Sequence, residues 1–483
     1  MKRNVLCVIC LSLLLVLTGC GQQNSENTVT VEEETKEEGS STTTLEDMTI
    51  NETIENSEDG GHAILADGES ASYSNIAVNK TGDSSGDEAD FYGENAAVFA
   101  TNGAELTLSN IYVKSDGTHA NGVFSYGEGT VVNISDSIIE TSGNCSGGIM
   151  TTGGGTMNAS NLNIHTTGNS SAAIRSDRGG GTVNVEGGSY ITDGVGSPVV
   201  YSTADITVSD AYMESTSSQG IVVEGENSVT LNDVELVANN VSKNSDKSSF
   251  YQAVMIYQSM SGDAKQGLAS FTMNGGTLAN KNGDIFFVNN TVATIDLEGA
   301  DIVNEDEDGI FLRAEAAGWG NEGSNGGHVT LNASSQEIDG AMHVDEVSSL
   351  NLYLKDASVF NGSINEDGEE GEVYVEIETG SKWVLSEDSY ITSLTCDADG
   401  IDLNGHKLYV NGEEYKEGSV SSGEAITVEI ASSGSHGDGM PQGGPGEGGM
   451  SSGHDGQPPE HDGQPPEKPD GERPDDMPDK KDD

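Results

Sequence analysis

Residues 131–156 read VVNISDSIIETSGNCSGGIMTTGGGT, and residues 157–182 repeat the pattern as MNASNLNIHTTGNSSAAIRSDRGGGT. Each copy carries a run of alternating apolar and polar residues, a turn, a second short apolar run and a glycine-rich corner. Alternation with a period of two marks a strand with one buried face. A unit this small cannot cover that face alone, so neighbouring copies must stack.

Two columns extend the unit along the chain. The first is a turn residue, Asn, Asp or Gly, that follows the alternating strand: Asn75, Asn110, Asp136, Asn161, Gly187, Asp210, Asp233, Gly275 and Gly299. Its separations of 35, 26, 25, 26, 23, 23, 42 and 24 residues set a period near 25 with insertions. Ahead of it, Leu106 and Leu108, Val132 and Ile134, Val183 and Val185 and their equivalents down to Ile295 and Leu297 face inward. Thr107, Asn133, Asn158, Asn184 and Thr207, which lie between such pairs, face water. The second column is Val98, Val123, Ile149, Ile174, Val199, Ile221, Val254, Ile285 and Ile310. A third, shorter strand follows each turn residue, at Val113, Ile139, Ile164, Met213, Leu236, Leu278 and Ile302.

Three strands in each turn of about 25 residues predict an all-β chain, a right-handed parallel β-helix of about ten to twelve coils. At about 4.8 Å between paired strands, the rod is on the order of 50 Å long. This body spans residues 45–371. Residues 372–433 resemble the closing coils of autotransporter-type adhesin passengers, in which a Trp and a Leu-rich run seal the open end. Trp383, Leu385, Ile391, Leu394, Ile401, Leu403, Leu408 and Val410 fit that role.

The flanks have different chemistry. Lys2 and Arg3, the apolar run Val5 to Leu17 and the tetrapeptide Leu17-Thr18-Gly19-Cys20 form a leader over residues 1–19. That tetrapeptide resembles the lipobox of bacterial lipoproteins, which implies lipidation of Cys20, export and a membrane anchored through the N-terminal lipid. Residues 20–44, rich in Ser, Thr and Glu, read as a flexible tether. Nine of the ten prolines lie beyond residue 434, so residues 434–483 read as a disordered tail. With Cys7 and Cys10 lost and Cys20 modified, Cys145 and Cys396 remain, too few for a disulfide framework.

The net charge is −61. Such a surface repels nucleic acid and other polyanions, and it leaves divalent cations, cationic proteins or neutral glycans as partners.

Three features stand out as candidate sites. The outward neighbours of the second column, Phe99, Phe124, Met150, Arg175, Val200, Val222, Met255, Phe286 and Phe311, form an apolar stripe that would bind a ligand. The opposite strand parity would make the same residues core. Insertions at 238–252 and 258–269, with the loop 314–328, carry Tyr251, Tyr257 and Trp319, which could stack on sugar rings or shield the coils. The acidic run at Asp301, Asp306 and Asp308 suits Ca²⁺ in ligand type but lacks EF-hand spacing. Arg175, Asp177 and Arg178 form the compact charged cluster that a lyase or hydrolase on this fold would need.

The body resembles the pectate-lyase-like β-helix shape, and surface adhesins more than lyases. The expected function is a non-catalytic, lipid-anchored cell-surface protein, an adhesin or carbohydrate binder meeting a glycan or host surface. A polysaccharide lyase or hydrolase and a structural cell-envelope spacer are the alternatives.

Overall fold

The computed structural model describes residues 44–430 except 244, 246, 369 and 370. The expected leader, the tether up to residue 43, Cys20 and the tail at 434–483 lie outside the described residues.

The period-two alternation sets the architecture, which is a parallel β-helix. Among the described residues, one sheet takes a strand from each of eleven successive coils; we call it the front sheet. Its register stacks Ile64, Val98, Val123, Ile149, Ile174, Val200, Ile221, Val254, Phe286, Leu312 and Met342. The rest of most coils enters a folded sheet of nineteen strands, where a bend separates two limbs; from Glu337 on, the second limb forms its own sheet of four strands. Strands Gly155–Thr166 and Gly181–Thr192 run on through the bend, with the same register on both sides of it and the pairing interrupted only at Asn161 and Gly187.

The first column makes that bend. All nine of its residues have positive φ, from 48° at Asp136 to 66° at Gly187, and Ser335 and Asp356 continue it at 50° and 51°. This left-handed conformation is open to Gly without cost and to Asn and Asp at little. Side chains stack along the column as well: the Asn161 amide donates to Asp136 Oδ1 at 2.8 Å.

Inside, Val132, Ile134, Met157, Val183, Val185, Ile206 and Val208 are buried, while Asn133, Asn158, Asn184 and Thr207 between them face out. Where the third strand lacks an aliphatic residue, Tyr190 pairs with Ile164 and Met213 and is fully buried. Its hydroxyl donates to the Gly187 carbonyl at 3.1 Å, which gives the polar end of an otherwise apolar ring a partner.

The corners stack just as regularly. Thr141, Thr166 and Thr192 each donate a hydroxyl to the carbonyl of Ser146, Ser171 and Ser197, at 2.5, 2.5 and 2.6 Å. Beside them Gly117, Gly143, Gly168 and Gly194 form a ladder. A Cβ on any of these would meet the carbonyl of the glycine one coil earlier at 2.0, 1.9, 1.9 and 1.8 Å, so only glycine permits the approach.

At the far end Glu372–Ile377 and Ser393–Cys396 continue the folded sheet. Trp383 is fully buried, stacks on Phe360 with ring centroids 5.5 Å apart, and donates Nε1 to the Gly362 carbonyl at 2.9 Å.

Candidate functional site: an open groove beside a roofed row

The outward residues of the first limb line a groove of about 520 Å³ that crosses five coils. Down its centre run Asn133, Asn158 and Asn184, bracketed by Thr107 and Thr207, with Ser135, Ser160, Glu186 and Ser209 two positions along. Asn158 donates to Asn133 Oδ1 and Asn184 to Asn158 Oδ1, both at 2.9 Å. A side-chain amide has two donor hydrogens and two acceptor lone pairs. The ladder uses one of each from Asn158, so further donors and acceptors recur at the strand spacing. This groove is the direct product of alternation, since the residues that cannot be core on this limb are amides and hydroxyls.

The outward row of the front sheet is different from the expected one. Register places Leu65, Phe99, Phe124, Met150, Arg175, Tyr201, Val222, Met255, Phe287 and Arg313 on it. Phe286 and Phe311 face inward, in the main core with 0 % and 1 % exposure, and Val200 also points in. The sequence offers two adjacent apolar residues at each of these coils, Val199-Val200, Ile285-Phe286 and Phe311-Leu312. Alternation cannot choose between them, and a slip of one residue reverses the face.

Phe99 and Phe124 do face away from the core, as expected, but they are not a free surface. With Ala96 and Met150 they form a separate buried cluster. The helix Asp87–Phe91 and the chain around it lie over them: Tyr92 packs edge-on to Tyr126 at 5.7 Å, and Thr152 Oγ1 donates to the Phe91 carbonyl at 2.6 Å. A second cluster, Val222, Met255, Tyr257 and Phe287, is roofed by Phe250, Ala317 and Trp319 from the insertions. Trp319 meets Tyr257 edge-on at 5.1 Å beside a cavity of about 60 Å³ that Tyr201 also lines. Tyr251 stands apart from that pair, with the Lys243 ammonium 5.5 Å from its ring centroid.

Between the two clusters the row turns polar. Arg175 Nη2 donates to Asp177 Oδ2 at 2.9 Å. Arg178 Nε donates to Asp263 at 2.5 Å and Nη1 to Asp87 at 2.9 Å, while its guanidinium lies 3.7 Å from the Phe91 ring centroid. Two coils on, Glu224 Oε2 accepts from the Tyr201 hydroxyl and, at 3.1 Å, from the Tyr257 hydroxyl. Burial pushes the Glu224 carboxyl up, against the pull of these donors. Burial likewise raises Asp177, and Arg175 offsets only part of that rise. Burial opposes the Arg175 charge, but Asp177 outweighs it, so that guanidinium is held more firmly protonated.

Sequence spacing singled out Arg175, Asp177 and Arg178 but missed Glu224, Asp263 and Asp87. Asp263 and Asp87 come from insertions, which carry no periodic signal. Glu224 stands at the same strand position as Asp177, two coils away, a relation visible only once Val200 is set in its true register. The acidic run does not converge: Asp306 accepts backbone N–H bonds from Gly283 at 2.7 Å and Asp308 at 3.0 Å, Asp301 is exposed, and the three form no metal-ligand group among the described residues.

Comparison with known proteins finds no match to this chain among family models, curated proteins or solved structures. No helix among the described residues is long and apolar enough to cross a membrane.

Proposed function

We propose that this chain is a non-catalytic glycan-binding protein, exported and held to the bacterial surface through a lipid on Cys20. Its β-helix would lay a linear neutral polysaccharide along the groove. The observation that carries the reading is the amide ladder Asn133-Asn158-Asn184, flanked by threonines and serines. The amides repeat paired donors and acceptors at about 4.8 Å, and with Thr107 and Thr207 the row covers five coils, about 19 Å of rod. A linear glycan repeats its hydroxyls in the same manner, and a net charge of −61 favours an uncharged chain over a polyanion. The resemblance to adhesin β-helices points the same way.

A second reading is a polysaccharide lyase or hydrolase acting at Arg175, Asp177 and Glu224. Its support is the convergence of carboxylates on two arginines. Against it, Asp177 and Glu224 are 4 % and 1 % exposed, and each is hydrogen-bonded within the protein.

A glycan array probed with the full chain, with Ca²⁺ and with chelator, tests the proposal. Binding to neutral polysaccharides should fall at least tenfold in Asn158→Leu with the circular dichroism unchanged. No binding under either condition would overturn it, and unsaturated products released from polyuronate would favour the second reading.

A further inference from the structure

Away from the groove, the described residues bring one set of three metal-ligating side chains together. Asp90, His119 and Cys145 each offer a ligand atom, and the three atoms lie within 4.8 Å of one another. They come from separate parts of the fold. Asp90 belongs to the helix Asp87–Phe91 that roofs Phe99 and Phe124. His119 and Cys145 occupy the same corner position on successive coils, where the His119 N–H bonds the Asn144 carbonyl and the Cys145 N–H the Asn169 carbonyl.

That corner position is left-handed, with φ of 54° at His119 and 56° at Cys145. The next two coils fill it with Ser170 and Gly196. Histidine and cysteine are costlier there than glycine, and two such residues in succession are not needed to make the turn. What they add is an imidazole and a thiol, stacked one coil apart and facing a carboxylate from the roof. His119 Nδ1 already lies 2.6 Å from Asp90 Oδ1. The side chains of His119 and Asp90 are 12 % and 28 % exposed, so an ion can reach the group without its being open to bulk water. Cys145 is half-buried and in no disulfide.

We propose that Asp90, His119 and Cys145 form a site for a borderline-soft divalent cation of the zinc type, which clips the roof helix to the corners of two coils. One thiolate, one imidazole and one carboxylate are the donors Zn²⁺ takes, at about 2.3, 2.0 and 2.0–2.2 Å, whereas Ca²⁺ and Mg²⁺ select oxygen alone. A tetrahedral ion with those bond lengths needs ligand atoms roughly 3.3–3.8 Å apart. The observed group, whose atoms lie within 4.8 Å of one another, reaches that by opening the 2.6 Å contact of Asp90 with His119 and by moving the sulfur at most about 1 Å. Three protein ligands leave the fourth position to water. Arg175 is close enough to act on Cys145, but its charge is matched by Asp177 at 2.9 Å. The site is independent of the glycan groove, which lies on the other sheet.

The test uses the full chain carrying Cys7→Ser, Cys10→Ser and Cys20→Ser, so that Cys145 and Cys396 are the two thiols left, stripped with chelator and titrated with Co²⁺ as a spectroscopic stand-in, then with Zn²⁺. One equivalent of Co²⁺ should give a near-ultraviolet thiolate-to-cobalt band with intense tetrahedral visible bands, and Zn²⁺ should displace it. The thiolate band should vanish in Cys145→Ser, weaken at least tenfold in affinity in His119→Ala and persist in Cys396→Ser. Histidines of the tail can bind the same ions but supply no sulfur, so they cannot imitate the band. Alkylation of Cys145 in the unmutated chain, read by mass spectrometry, provides a measurement that no variant's folding can confound: Zn²⁺ should slow it at least tenfold. No thiolate band, a band that survives Cys145→Ser, or unprotected alkylation would each overturn the proposal.

Discussion

Arg175, on the front-sheet strand Ile174–Ser176, and Asp177, the residue just past the end of that strand, close on each other at 2.9 Å in the gap between two buried apolar clusters. The side chains are 14 % and 6 % exposed. Removing one member of such a pair leaves a buried charge without its partner. Asp177→Ala should therefore cost about 3–5 kcal/mol, whereas Arg175→Met with Asp177→Ala should restore most of the loss. Urea denaturation read by circular dichroism distinguishes them; equal loss in single and double variants would contradict a charge-pairing role.

Glu224 gives a pH dependence of definite sign. Burial raises its folded value above that of the unfolded chain, so the folded state holds the proton more tightly. The stability this contributes is fully present below the ordinary carboxylate range and is lost as pH rises through the raised value. Glu224→Gln removes the titration and keeps an acceptor for Tyr201 and Tyr257. Unmutated stability minus that of the variant should fall across this window; a difference that rises with pH would be the wrong sign.

Phe286 reports the true register. It lies between Phe271 and Phe311, with ring centroids 5.6 and 5.5 Å away, and is fully buried. Phe286→Ala should cost about 3–5 kcal/mol through lost burial and the cavity it leaves. A surface aromatic would change stability by less than about 0.5 kcal/mol.

The bend column is tested at Asn161, where φ is 51°. Asn161→Gly keeps access to that conformation and should stay within about 1 kcal/mol. Asn161→Val forces a β-branched residue into it and should cost about 1–2 kcal/mol from the backbone alone. Thermal melts of the two, compared at one pH, decide the matter.

Much of the fold is legible in the sequence because its rules are local. A left-handed bend needs Asn, Asp or Gly, so the first column reads directly, and alternation then sets Asn133, Asn158 and Asn184 outward. The front sheet reads less well, because consecutive apolar residues such as Ile285-Phe286 satisfy either face. What covers that sheet is not legible at all. Phe99 and Phe124 are an exposed stripe or a second core depending on where Tyr92 and the Asp87–Phe91 helix lie, and that is decided by contacts across coils. His119 and Cys145 stand one 26-residue period apart, but Asp90 comes from the insertion between Asn75 and Asn110, which carries no periodic signal, so the group of three is not legible either.

The ladder of Gly117, Gly143, Gly168 and Gly194 has a consequence for how such a chain can change. Each rung receives the carbonyl of the one before it and presents its own carbonyl to the one after, so the two faces of a coil are complementary and one such coil can stand in for another. A tandem duplication of one unit would add a rung whose contacts already exist on both sides, with no new interface to invent. Rod length, and with it the reach of the groove, is then a quantity that heredity can adjust in steps of a single coil, while a shift of even one residue within a unit is refused by every neighbour.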